Sequence, residues 1–157
     1  MQHYLSDDRD YEIWMLLSQA SAAMFKAREK ELNGKGFTAM EATALFIIQA
    51  IGDRAATPVE ISRWILREPH SVFSLLKRME RRGLVERTKD LAWKNMVRVT
   101  VTEKGEKAYE TSTARESIHN ILSVLSAEEC QQLSSCLRTL RDRALQQINI
   151  GYEMPFP

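Results

Sequence analysis

The sequence predicts a mainly α protein with a small β wing: a winged helix-turn-helix joined to a helical dimerisation lobe. Three observations carry this fold class. Three Ser/Thr-x-x-Glu capping boxes mark helix starts. The apolar period switches from 3.6 to 2 directly after Gly83 and returns to helical spacing after Thr102. The resulting order is helix, helix, short helix, helix, strand, loop, strand, with one long helix before it and helical sequence after it.

Each element has its own signal. A first helix is expected over 8–32, where Ile13, Leu16, Leu17, Ala20, Met24 and Ala27 recur at helical spacing and Asn33-Gly34-Lys35-Gly36 stops it. It is roughly twice the mean helix length, too long to bury its stripe in a small lobe alone. The capping boxes Thr38/Glu41, Thr57/Glu60 and Ser126/Glu129 start helices at 39–52, 58–65 and 127–148, and Pro58 takes the first helical position, where its missing N–H costs nothing. Pro69 opens a helix over 69–82, Val72, Leu75, Leu76 and Met79 form its apolar stripe, and Gly83 closes it as a left-handed cap. Residues 85–89 and 96–101 read as short strands joined by a hairpin loop over 90–95. Thr102 caps a further long helix, 103–124, whose apolar positions include Ala108, Tyr109, Ile118, Ile121 and Leu122. The expected organisation is a helical dimerisation lobe from 1–37 and 102–150, a winged lobe over 38–101, and a tail over 151–157 that is loose or docks through Tyr152 and Phe156.

Composition narrows the function. With 157 residues, 44% hydrophobic and 27% charged, the chain is globular rather than disordered. Its net charge of +1, from 22 Lys and Arg against 21 Asp and Glu, argues on average against a nucleic-acid binder. The average conceals an asymmetry. Ten basic residues (63, 67, 77, 78, 81, 82, 87, 89, 94, 98) face four acids (68, 80, 86, 90) between Arg63 and Arg98, a local charge of +6, while residues 1–62 carry −3 and 99–157 carry −2. The basic block falls on the two elements that a winged helix presents to DNA. Cys130 and Cys136, six apart on a helix, project from different faces and are expected to be reduced thiols. The first ten residues show no signal-peptide pattern and the apolar run 44–48 is too short for a membrane span, so a soluble cytoplasmic protein with no membrane partner is expected.

On the helix 69–82, the N-terminal part is expected to meet base edges through Ser71 and Ser74, joined by His70 and Lys77; Arg78, Arg81 and Arg82 are assigned to phosphates. Phe73 is expected to pack on the preceding helix, the alternative being a thymine methyl in the groove. Lys89, Lys94, Asn95 and Arg98 suit a wing that enters a minor groove. Trp93 at the wing tip packs on the wing base or meets a sugar or partner subunit. Thr57 begins a helix whose free N–H groups suit a phosphate.

The stretches Thr57-Pro-Val-Glu-Ile-Ser, Ser71-Val-Phe-Ser-Leu-Leu-Lys-Arg-Met-Glu-Arg-Arg-Gly-Leu-Val-Glu-Arg and Val99-Thr-Val-Thr-Glu-Lys-Gly105 resemble the MarR (multiple antibiotic resistance regulator) family. The resemblance spans nearly the whole chain and is most specific in Gly-Leu-Val-Glu-Arg and Thr-Glu-Lys-Gly at this separation. It implies a homodimeric, ligand-responsive transcription regulator, typically a repressor, that binds a palindromic double-stranded DNA operator. It further implies release by a small ligand, often aromatic and acidic. The chain departs from the family at the wing: where relatives carry an acidic residue closely followed by arginines, it reads Ala92-Trp93-Lys94-Asn95, so Lys94 offers charge without a bidentate fork. It also lacks the N-terminal reactive cysteine of peroxide-sensing relatives.

A ligand pocket is expected where the long helices meet the winged lobe, with Trp14, Leu17, Ser18, Phe46, Trp64 and Tyr109 as candidate lining; at such spacing these residues are equally ordinary core. No phosphate loop, metal-ligand spacing or nucleophile motif is present, so neither enzyme activity, cofactor nor metal is expected. The remaining alternative is a protein-interaction module that reuses a winged helix without sequence-specific DNA binding, a role with no need for a +6 face.

Overall fold

The structure, a computed structural model, describes residues 8–52, 56–90, 96–151 and 154. Its order is α1 (Arg9–Asn33), α2 (Ala39–Ile51), α3 (Pro58–Ile65), α4 (Pro69–Arg81), β1 (Val85–Lys89), β2 (Val97–Val101), α5 (Glu103–Ser112), α6 (Glu116–Leu122) and α7 (Ala127–Gln147). All three predicted capping boxes form, each with the hydroxyl accepting from the Glu N–H and the Glu carboxylate accepting from the cap N–H. Asp8 caps α1 by accepting from the Asp10 and Tyr11 N–H groups. Among the described residues, no helix is long and apolar enough to cross a membrane.

The main core joins α2, α3, α4 and the two strands through Leu45, Ile48, Ile61, Val72, Leu76, Met79, Val85 and Val99. The strands pair antiparallel, Val85 opposite Val101 and Lys89 opposite Val97. Ala56 adds an isolated bridge to Val99. α4 ends in a Schellman motif: Leu84 N–H donates to the Met79 carbonyl and Gly83 N–H to the Glu80 carbonyl, both at 2.9 Å. Gly83 takes φ 72°, which only glycine adopts without steric cost. β1 therefore leaves the recognition helix in a fixed direction.

The expected single helix over 103–124 is two helices. Arg115 sits at φ 49° and breaks the run between α5 and α6, with no glycine or proline to announce it. The first turn of α6 is capped from far away in the chain: Glu31 of α1 accepts from the Glu116 and Ser117 N–H groups, both at 3.2 Å, and from the Ser117 hydroxyl. This cap also holds α6 against α1. By contrast α7 makes only marginal contact with other elements, and Leu145 is its one buried residue. Its Leu133, Leu137 and Leu140, and Tyr11, Ile13, Trp14 and Leu16 of α1, are exposed. Both cysteines are free.

Candidate nucleic-acid interface

α4 separates its faces cleanly. Val72, Leu75, Leu76 and Met79 are buried, while His70, Ser71, Phe73, Ser74, Lys77, Arg78 and Arg81 are exposed. At 100° per residue His70, Ser74, Lys77 and Arg81 form one row directly opposite the buried stripe. Ser71 and Arg78 lie on one flank of that row, Phe73 and Glu80 on the other. His70, Ser71, Ser74 and Arg78 line a shallow cleft of about 330 Å³ together with Met40, Ile65 and Arg67. Arg67, in the turn before α4, had only its charge to announce it in the sequence. The cleft is thus a polar, cationic surface on the outer side of an exposed helix, the arrangement that fits a major groove.

Arg82 is a correction to the phosphate assignment. Its Nη1 donates to both carboxylate oxygens of Glu41, at 2.7 and 2.6 Å, and its Nη2 donates to the Gly36 carbonyl. Glu41 is buried, at 3% exposure, and its carboxylate also accepts from the Thr38 N–H in the capping box. Arg82 therefore anchors the C-terminal end of α4 to the start of α2, with Lys104 Nζ donating to its carbonyl at 2.7 Å. Phe73 corrects the other expectation on this helix. It is 45% exposed rather than packed into the core, with the Arg87 guanidinium over its ring at 5.7 Å. Arg87 is held by Glu80 through Nε at 2.9 Å and Nη2 at 2.6 Å, and those charge-assisted bonds keep the Glu80 carboxyl below its ordinary value.

On the wing, Lys89 is exposed at the end of β1. Arg98 Nε donates to Asp90 Oδ2 at 2.9 Å, so an ion pair ties the bases of the two strands together despite the altered wing-tip sequence. Lys94 and Asn95, like Trp93, Tyr152 and Phe156, lie outside the described residues. The Thr57 hydroxyl accepts from the Glu60 N–H and donates to Glu60 Oε2 at 2.9 Å, so it is occupied by its own cap.

A second cavity, of about 360 Å³, lies between α1, α2, α5 and α6. Phe46 and Tyr109, both predicted, line it with Phe25, Ala42 and Ile118. Trp64 is on α3, and Trp14, Leu17 and Ser18 are on the N-terminal half of α1; none of these four lines it. Trp14 instead stacks on Tyr11 at 5.5 Å and is 57% exposed. The sequence reading missed the two cations of the cavity, because each follows from a distant contact. The Arg115 guanidinium lies over the Phe46 ring at 5.6 Å, and Arg28 Nη2 donates to the Ser112 carbonyl at 2.6 Å. Arg28 Nη1 stands 2.8 Å from Glu31. Burial opposes ionisation of Glu31, but the hydrogen bonds from Ser117 and Arg28 outweigh it and draw its carboxyl down to about 2.

The MarR family profile matches residues 35–91, from the α1–α2 turn to the wing. No curated protein matches the chain in sequence. Among solved structures, the organohalide-sensing transcriptional regulator RdhR in its 2,4-dichlorophenol-bound form aligns with a TM-score of 0.89 at 25% identity, covering 100% of this chain and 95% of that one. A cysteine-to-serine mutant of MarR from E. coli, complexed with operator DNA, aligns at TM-score 0.76 and 22% identity over 85% of this chain and 98% of its own. The S. aureus MepR–DNA complex aligns at TM-score 0.76 and 24% identity, covering 87% and 98%.

Proposed function

The chain belongs to the MarR family, and from that premise we propose that it is a homodimeric, ligand-responsive transcription regulator, a repressor, of a palindromic double-stranded DNA operator. The single observation that carries the DNA reading is the exposed row His70, Ser74, Lys77, Arg81 on a helix whose opposite face is wholly buried. α4 enters the major groove, where Ser71, Ser74, His70 and Lys77 meet base edges and Arg78 and Arg81 meet phosphates. The wing follows the adjacent minor groove with Lys89, Lys94, Asn95 and Arg98, and Thr57 sits at a helix start beside the backbone. The helical lobe of 1–37 and 102–150 holds two copies so that their α4 helices meet successive major grooves, about 34 Å apart. MarR and MepR, which share this fold, were solved on DNA.

The cavity at Phe46 and Tyr109 is the effector site, and its occupant is a small aromatic anion. Two rings supply stacking surface, and Arg28 and Arg115 supply positive charge. RdhR, at 25% identity, binds a chlorinated phenol. Such a ligand shifts DNA affinity only by its differential affinity for the two dimer geometries. The test is selection of a site from a randomised duplex library, followed by binding titrations in a salt series. The Lys77→Ala/Arg78→Ala/Arg81→Ala triple variant is expected to bind the recovered site at least tenfold more weakly, with a salt slope shallower by about 3. Unchanged binding by the triple variant overturns the assignment.

A further inference from the structure

We propose that Phe73 is a specificity-determining residue that selects thymine at one position of each half-site by contacting its C5-methyl group. The inference rests on the DNA-binding reading above and goes beyond its polar and basic contacts.

Phe73 is the fifth residue of α4, in the N-terminal half of the helix, where side chains reach base edges. It is the one large apolar side chain of α4 that is exposed. It shares a helix row with Lys77 and Glu80, on the wing side of the outward face, so it borders the surface proposed to enter the groove. Its orientation is constrained from outside the helix. The Arg87 guanidinium from β1 lies 5.7 Å from the ring centroid, and Glu80 holds that guanidinium through two side-chain bonds and the Arg87 N–H at 3.3 Å. An ordered aromatic ring that neither donates nor accepts a hydrogen bond has one matching group in the major groove, the thymine methyl. Polar readers such as Ser71 and Arg78 lie on the opposite flank. The selected thymine therefore falls on the wing side of the base pairs those residues read.

The experiment uses the full chain as wild type, Phe73→Ala and Phe73→Leu, each checked by thermal melting; removal of a half-exposed ring is expected to leave the fold intact. A site is recovered by selection from a randomised duplex library with each protein. Each thymine of the wild-type site is then replaced by deoxyuridine, which lacks only the methyl group. One thymine per half-site is expected to lose about fourfold in wild-type affinity on this replacement, the fold-change of burying one methyl group. Phe73→Ala is expected to bind both versions equally and to select no thymine there, while Phe73→Leu keeps part of the preference. An enriched site at which every deoxyuridine replacement affects wild type and Phe73→Ala alike overturns this inference and leaves the DNA reading standing. A library that yields no enriched sequence overturns both.

Discussion

Arg81 and Arg82 are neighbours in the sequence and opposites in use. Arg81 stands on the outward row of α4, whereas Arg82 reaches back to a buried carboxylate. Both are arginines in a basic run, and only the surroundings separate them. Arg82→Ala leaves the Glu41 carboxylate buried without its cation, and is expected to cost on the order of 2 kcal/mol of stability, read as a lower denaturation midpoint. Arg81→Ala is expected to leave the midpoint unchanged and to weaken DNA binding. Glu31 gives a second residue-scale prediction. Its carboxyl titrates at about 2 when folded, below its ordinary value of 4.5, so it contributes stability in full above pH 4.5 and loses it as pH falls towards 2. Glu31→Gln is therefore expected to be less stable than wild type at pH 6, with the gap closing by pH 2; a gap that does not depend on pH refutes the role.

At the scale of elements, Gly105 explains the Thr-Glu-Lys-Gly signature in physical terms. A Cβ at this position would lie 2.0 Å from the Leu84 carbonyl oxygen and 2.7 Å from Val101 Cγ1. Thr102 makes that approach close, its hydroxyl donating to the Gly83 carbonyl at 2.6 Å and accepting from the Gly105 N–H at 3.1 Å. Gly105→Ala must displace backbone at the junction of wing and α5, and is expected to cost about 3 kcal/mol in urea unfolding. Helix starts elsewhere were legible because a capping box is local: four residues state it and close it. The break between α5 and α6 was not legible, since Thr113-Ala114-Arg115 contains no breaker and the α6 cap comes from Glu31, 85 residues away from Glu116. The candidate site divides in the same way. The outward row of α4 follows from helical spacing alone, whereas the cations of the effector cavity depend on which helices cross.

At the scale of the molecule, α7 needs a partner. It is 21 residues long, it buries only Leu145 within its own chain, and it presents Leu133, Leu137 and Leu140 along one side. A helix of that length draws its stability from tertiary packing, which a second copy supplies in the proposed dimer. Leu137→Glu/Leu140→Glu is expected to run at monomer mass by light scattering and to lose operator binding; a dimer that survives both charges removes the helix from the interface. The sequence by itself determined the helix boundaries, the two-stranded wing and the place of the +6 block, because capping, periodicity and charge are written in neighbouring residues. The tertiary structure alone decided that Arg82 serves the fold and not the groove, that Phe73 stays exposed beneath Arg87, and that Arg28 and Arg115 meet at one cavity. Those outcomes depend on which distant side chain lies within hydrogen-bonding or stacking reach, and that distance exists only once the helices have packed.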